Sequence, residues 1–337
     1  MNFNIIDVTL RDGSYEVGFQ FSQEDVKQVG CALQNSGIKY IEIGHGQGLN
    51  ASSEKNGFAL CSDEEYLQTA QEYLCNIKYG FFCIPGIARL KDLDLLKKYG
   101  ASFVRIGCNP EIDEVKNSLP YLYHAKELGL ETFANYMKTY TACPEVFKQC
   151  VRLSESVEPD NYAIVDSAGC MFPEDIKIYF DLINETSKRE IGVGFHGHDN
   201  LGYSIANTLY AVSIGCRYVD TSLQSLGRGA GNASTEQFIA ILMKKYNCSD
   251  YQLSKLMEFS ENYLRPRVKF KGVSGLDTFC GIAGFHSGYI NSIKKYASLY
   301  HVSPYELILE YSKRDRVHMD DYMLEAIASH ISNSIDE

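Results

Sequence analysis

The sequence predicts an α/β fold: a (β/α)8 TIM barrel over residues 1–245, followed by a helical C-terminal domain over 246–337. Three observations predict it. A helix–glycine–strand unit recurs along the chain. Eight apolar strand candidates alternate with helical stretches over about 240 residues. No clear strand follows about residue 250. Alternating strands and helices make a parallel sheet. Eight units in that length suit a closed barrel better than the alternative, an open doubly wound sheet.

The recurring unit is visible in Q-N-S-G-I-K-Y-I-E-I-G, K-K-Y-G-A-S-F-V-R-I-G, K-E-L-G-L-E-T-F-A-N-Y-M and V-S-I-G-C-R-Y-V-D-T-S. Gly37, Gly100, Gly129 and Gly215 fit left-handed helix C-caps, where a side chain would clash. Strands are expected at about 3–9, 39–44, 76–82, 102–107, 131–137, 161–166, 191–195 and 216–222. Most are largely apolar runs, as in a parallel sheet covered on both faces. Ser22 with Asp25 and Ser62 with Glu65 fit capping boxes, and Pro144 and Pro173 fit first helical turns. The helix after Ser22 places Val26, Val29 and Leu33 on one face. From about 250 the chain turns helical and Tyr-rich: Y-Q-L-S-K-L-M-E-F-S-E-N-Y-L, a Gly-rich turn region, then S-G-Y-I-N-S-I-K-K-Y-A. This extension is expected to pack on the barrel.

The 337 residues are 45% hydrophobic and 22% charged, a globular balance that needs no disulfides for stability. No apolar run reaches the length of a membrane span, and the N-terminus lacks the basic and long apolar regions of a signal peptide. The eleven cysteines sit singly, which reads as reduced thiols in a cytoplasm. A formal charge of -11 argues against nucleic acid and anionic membranes as partners. It leaves room for an anionic substrate, because the charge at a site can oppose the net charge.

Polar residues gather where a barrel places its active site, at the C-terminal ends of the strands. The first strand runs into Leu10-Arg11-Asp12-Gly13-Ser14-Tyr15, and the second ends in Glu42-Ile43-Gly44-His45. The fourth ends near Arg105, the sixth in Asp166-Ser167, the seventh in His196-Gly197-His198, and the eighth in Asp220-Thr221-Ser222. Residues i and i+2 of a strand share a side, so His196 and His198 can grip one ion. Asp12, from another strand end, completes a set of two histidines and a carboxylate. Such a set suits Mn, Fe, Zn or Mg with water. Arg11 beside it fits an anion clamp for a carboxylate or enolate oxygen. His45, between two glycines, is either a capped loop residue or a ligand-facing one. G-R-G-A-G-N-A-S-T-E suggests an anion-binding loop entering a helix, although Asn232 there also suits an N-cap. His286 lies beyond the barrel, as a cover over the site or as a structural histidine.

Together these segments resemble the DRE-TIM metallolyase superfamily, and within it the 4-hydroxy-2-oxovalerate aldolase branch of class II pyruvate aldolases. The segments are D-V-T-L-R-D-G-S at 7–14, I-E-I-G-H-G-Q-G-L at 41–49, V-D-S-A-G at 165–169, G-F-H-G-H-D-N-L at 194–201, A-N-T-L at 206–209 and L-G-R-G-A-G-N-A at 226–233. The Claisen-type relatives usually carry Gln shortly after R-D-G and lack H-G-x-G-L; this chain has H-G-Q-G-L and lacks that Gln. The resemblance implies a lyase that interconverts a 4-hydroxy-2-oxo acid with pyruvate enolate and an aldehyde. It implies a divalent cation, Mn by preference with Mg or Zn as alternatives, on Asp12, His196 and His198. It implies Arg11 as enolate stabiliser, with Ser167 and His286 beside it as substrate-binding residues. It also implies a homo-oligomer and an acylating aldehyde dehydrogenase as partner. The branch carries L-R-D-G-S-H, whose His is the proposed base; here that position is Tyr15. Tyr15, His45 and His286 are therefore the candidates for proton transfer. Two other readings compete: a Claisen-type acyl-CoA condensing enzyme or acyl-CoA lyase, and a non-catalytic binding module on the same barrel.

Overall fold

The computed structural model describes residues 2–187, 189–268 and 275–335; the Gly-rich turn expected before the last helices lies partly outside them. Eight parallel strands close a barrel in chain order: β1 (Asn4–Asp7), β2 (Tyr40–Glu42), β3 (Lys78–Cys83), β4 (Phe103–Cys108), β5 (Glu131–Tyr136), β6 (Asn161–Asp166), β7 (Gly192–Gly197) and β8 (Tyr218–Thr221). Asn4 pairs with Tyr218 and Asp7 with Thr221, so β8 returns to β1 and an open sheet is ruled out. All eight expected strands are present.

The outer helices are α1 (Gln23–Asn35), α2 (Asp63–Tyr73), α3 (Leu93–Lys98), α4 (Ile112–Glu127), α5 (Pro144–Ser154), α6 (Pro173–Thr186), α7 (Ser204–Ile214) and α8 (Thr235–Tyr246). Both expected capping boxes form, Ser22 with Asp25 and Ser62 with Glu65. Pro144 and Pro173 open α5 and α6. Val26, Val29 and Leu33 are fully buried. After α1 the chain turns at Gly37 with φ +93°, and a Cβ there would lie 2.4 Å from the Asp250 carbonyl oxygen.

The barrel interior is layered. Ile6, Tyr40, Phe103, Phe133 and Tyr218 form an apolar plug at its N-terminal end, with Phe133 and Tyr218 edge to face at 5.0 Å. Because a strand's side chains alternate, the residues two positions on point into the same interior one layer higher. Those residues are Val8, Glu42, Arg105, Asn135 and Asp220, of which all but Val8 are polar. The plug thus seals one end and the next layer is mostly polar, which puts the site at the other end.

α9 (Leu253–Phe259) and the turn after it still belong to the barrel's packing, since Leu256 and Leu264 join its core. A separate core forms among α10 (Gly275–Ala283), α11 (Ile290–Tyr300), α12 (Pro304–Ser312) and α13 (Asp321–Ile335), around Phe285, Ile293, Leu307, Ile308, Tyr311 and Leu324. The chain beyond residue 245 therefore contributes to both cores. Its second part roofs the barrel: Lys138, just past β5, reaches the Tyr289 hydroxyl at 3.1 Å and the Val317 carbonyl. Among the described residues, no helix is long and apolar enough to cross a membrane.

Candidate active site

Asp12 is fully buried in the turn that follows β1. Arg11 Nη1 donates to its Oδ1 at 2.8 Å, and Asn232 Nδ2 donates to its Oδ2 at 2.9 Å. Asn232 is itself fixed by donating to the Leu226 carbonyl. The glycine loop comes close: a Cβ on Gly227 would stand 2.8 Å from Asp12 Oδ2. Burial alone would raise the Asp12 carboxyl, but Arg11, then His198 and Arg228, hold it well below the usual carboxylate range.

His196, next to last in β7, has its Nδ1 2.8 Å from Asp220 Oδ2. A carboxylate can only accept, so that nitrogen carries the proton and Nε2 presents its lone pair. His198 Nε2 lies 3.3 Å from His196 Nε2 and 4.0 Å from Asp12 Oδ2. Burial first, and His196 after it, outweigh Asp12 and push the His198 ring down to about 3, so it is neutral. The ligand atoms of Asp12, His196 and His198 lie within 4.8 Å of one another. Three electron-pair donors facing one point repel unless a cation lies among them. The donor set, two imidazole nitrogens and a carboxylate, fits a divalent metal with open positions.

A charged network holds this group. Arg11 Nε donates to Glu42 Oε2 at 2.6 Å. Arg105, only 1% exposed, donates to Asp220 Oδ2 at 2.6 Å and to Asn135 Oδ1 at 3.0 Å. Its Nε also lies 3.5 Å from Glu42 Oε1. Burying a guanidinium is costly unless it is paired, and Glu42 with Asp220 supplies the pairing. Burial works against ionising Asp220, yet Arg105 and His196 keep its carboxyl below its ordinary value. In the sequence Glu42, Arg105 and Asp220 stand at strand ends with no role apparent, and Asn135 does not stand out at all. The signal was their spacing of two residues from an interior aromatic.

A cleft of about 270 Å³ opens above the network. Arg11, Tyr15, Ser167, His196 and His286 all line it, so the structure brings these expected residues together. Tyr15 lies under Arg228, whose Cζ is 4.9 Å from the ring centroid. Burial raises the Tyr15 phenol despite Arg228 and Arg11, which keeps its proton on. Ser167 Oγ accepts the Lys138 backbone N–H at 3.1 Å. His286 Nδ1 accepts the Gly288 N–H at 3.1 Å, so its neutral ring carries the proton on Nε2. Burial, with Arg228 and Lys138 nearby, holds that ring well below its ordinary value.

His45 is not brought into this group. Its Nδ1 accepts the Gln47 N–H at 3.1 Å, its Nε2 lies 3.2 Å from the Gly57 carbonyl, and its ring stacks on Phe19 at 3.9 Å. Phe19 in turn meets Tyr15 edge to face at 5.0 Å. The neighbouring glycine serves Tyr15, since a Cβ on Gly46 would strike that ring at 2.4 Å.

Lys138 and Arg228 also line the cleft and had no assigned role. Lys138 has a left-handed backbone at φ +54°. Burial pushes its ammonium down to about 8, with Glu114 and Arg228 acting in opposite senses.

Comparisons with known proteins bear on the family and the fold. The 4-hydroxy-2-oxovalerate aldolase of Carboxydothermus hydrogenoformans is 33% identical over 331 residues, 98% of this chain and 97% of that one. That of Moorella thermoacetica is 32% identical, covering 97% and 96%. Among solved structures, the carboxyl transferase domain of Rhizobium etli pyruvate carboxylase with pyruvate superposes with a TM-score of 0.77 at 15% identity, over 99% of this chain and 61% of that one. The HMG-CoA lyase of Bacillus subtilis superposes with a TM-score of 0.66 at 18% identity, over 82% and 97%. These two show a shared fold. Residues 2–262 match the family described as HMGL-like, which spans the whole barrel and every residue of the Asp12–His196–His198 group. With near-full-length relatives a third identical, this chain is a member of the HMGL-like family.

Proposed function

We propose that the protein is a divalent-metal-dependent carbon–carbon lyase that cleaves or forms a 4-hydroxy-2-oxo acid, with pyruvate enolate and an aldehyde as the other partners. The carrying observation is that Asp12, His196 and His198 converge beside Arg11, and that Arg11 and His196 line one cleft. The names of the 4-hydroxy-2-oxovalerate aldolases that resemble it support the reaction class. The cation, Mn by preference with Mg or Zn as alternatives, supplies a Lewis acid for the keto and carboxylate oxygens of the 2-oxo acid when bound.

The residues do the rest. Arg11 spends Nε and Nη1 on Glu42 and Asp12, which leaves Nη2 for the keto oxygen as it gains charge. Ser167 accepts from Lys138 and keeps its own hydroxyl hydrogen to donate to the substrate carboxylate. His286, a donor through Nε2, orients the oxygen on C4. Tyr15 moves the proton. In condensation its phenol protonates the aldehyde oxygen as C3 bonds to C4. Cleavage is the reverse step and runs through the minor phenolate form, which burial disfavours and Arg228 and Arg11 favour; the 4-hydroxyl proton passes to it as that bond breaks. His45 braces Tyr15 through Phe19.

The unpaired state of all eleven cysteines supports a reducing, cytoplasmic setting. An acylating aldehyde dehydrogenase that receives the aldehyde, and a homo-oligomeric state, belong to the same proposal.

Tyr15→Phe removes only the hydroxyl. It should lower the rate of C–C cleavage by about 10² to 10⁴, while metal-dependent exchange of the pyruvate methyl protons with deuterated solvent persists. Unchanged cleavage would remove Tyr15 from proton transfer and leave His286 as the candidate.

A further inference from the structure

Two of the four cationic side chains in the cleft are accounted for. Arg11 is held by Glu42 at 2.6 Å and Asp12 at 2.8 Å, and Arg105 by Asp220 at 2.6 Å. The other two are not matched in this way. Lys138 Nζ donates to neutral oxygens, the Tyr289 hydroxyl at 3.1 Å and the Val317 carbonyl. Among the described residues no carboxylate lies within ion-pair distance of it. Glu111, Glu114 and Asp315 act on it only from farther away. All three have other partners: Glu114 accepts from Asn109 at 2.7 Å, Glu111 lies 3.2 Å from His318, and Asp315 accepts the Val317 N–H at 2.6 Å. Among the described residues the Arg228 guanidinium comes no nearer to a carboxylate than 3.8 Å, from Nε to Asp12 Oδ1. That Nε is buried with no hydrogen-bond partner among the described residues. A buried, unmatched charged donor is expensive, and a ligand that accepts from it removes the cost.

The position of the pair matters as much as its charge. Arg228 lies over Tyr15, and Lys138 is tied to Tyr289 and Val317 of the helical roof. The aldolase reading already gives the 2-oxo acid end to Arg11, Ser167 and the metal group, of which His196 lines the cleft. The apolar wall residues Phe82, Ile84, Met137 and Val165 line the same cleft and suit a short carbon chain.

We propose that Lys138 and Arg228 bind an anionic group, a carboxylate or a phosphate monoester, carried on the aldehyde half of the substrate. The substrate class is then a 4-hydroxy-2-oxo acid with a second acidic end, distinct from one that ends in a neutral alkyl group. This inference rests on the aldolase reading above and adds the identity of the aldehyde half.

The test compares matched aldehydes in Mn-dependent condensation with pyruvate. Succinic semialdehyde is set against butanal for a carboxylate, and glyceraldehyde 3-phosphate against glyceraldehyde for a phosphate. The anionic member of one pair should have the higher kcat/KM by about ten- to a hundred-fold, the worth of a charge-assisted hydrogen bond or two. The pair that shows it identifies the anion. Lys138→Met and Arg228→Leu should each pull that ratio towards one; the wild-type comparison stands without them if either variant fails to fold. Neutral aldehydes that match or exceed the anionic ones in both pairs, with pyruvate methyl exchange intact, would overturn the anionic subsite and spare the aldolase reading. Absence of metal-dependent methyl exchange and of condensation with every aldehyde would refute the aldolase reading, and the subsite with it.

Discussion

Replacing His198 with alanine should remove the divalent cation and the activity together. His198 is 2% exposed, its ring is neutral, and its Nε2 faces His196 Nε2 at 3.3 Å. Alanine leaves one imidazole and one carboxylate, too few to hold a divalent ion against water. Loss of a supporting partner behind a ligand already costs about 10- to 100-fold in affinity, and loss of the ligand itself should cost more. Turnover should fall by roughly 10³ or more, since the Lewis acid is worth several kcal/mol. Metal content after dialysis, measured beside kcat, checks both halves. Full metal occupancy in His198→Ala would remove this residue from the ligand set.

Arg11→Lys should lower kcat by about 10² or more, the usual loss when one donor to a developing oxyanion is removed. The guanidinium reaches Glu42 from Nε and Asp12 from Nη1. An ammonium keeps the charge but is a single point on a flexible stem. It cannot hold both carboxylates and still aim a donor at the keto oxygen. The loss should fall on kcat more than on KM, because the charge on that oxygen grows only towards the transition state. Near-normal turnover in Arg11→Lys would make Arg11 a brace for Asp12 and nothing more.

The barrel was legible because its local signals agree. Apolar strands, glycine caps and Ser/Pro helix starts all name the same boundaries, and Ser22, Ser62, Pro144 and Pro173 occupy the positions that their chemistry suggests. His196-Gly197-His198 and Arg11-Asp12 stood out because polar groups at strand ends have few packing roles. The supporting layer was harder to read. Arg105 and Asn135 look like interruptions in apolar strands until their two-residue register with Phe103 and Phe133 is known. Asp220 pairs with Arg105 across 115 positions of sequence, a contact that only barrel closure creates. Lys138 left no signal, since nothing about a lysine announces a left-handed backbone. The glycines around His45 leave both a capped loop residue and a ligand-facing one open in the sequence. In the structure Gly46 makes room for the Tyr15 ring, and His45 is spent on backbone bonds.

The central proposal is that the metal group and Arg11 stabilise a pyruvate enolate released from a 4-hydroxy-2-oxo acid. Pyruvate release from a panel of such acids, followed with metal-stripped protein and after adding back Mn, Mg or Zn, tests it most directly. Pyruvate should appear only with metal, with an equal amount of aldehyde and no requirement for an acyl-CoA. Metal-loaded protein that releases no pyruvate from any of them, yet condenses acetyl-CoA with a 2-oxo acid, would contradict it and assign the barrel to Claisen chemistry.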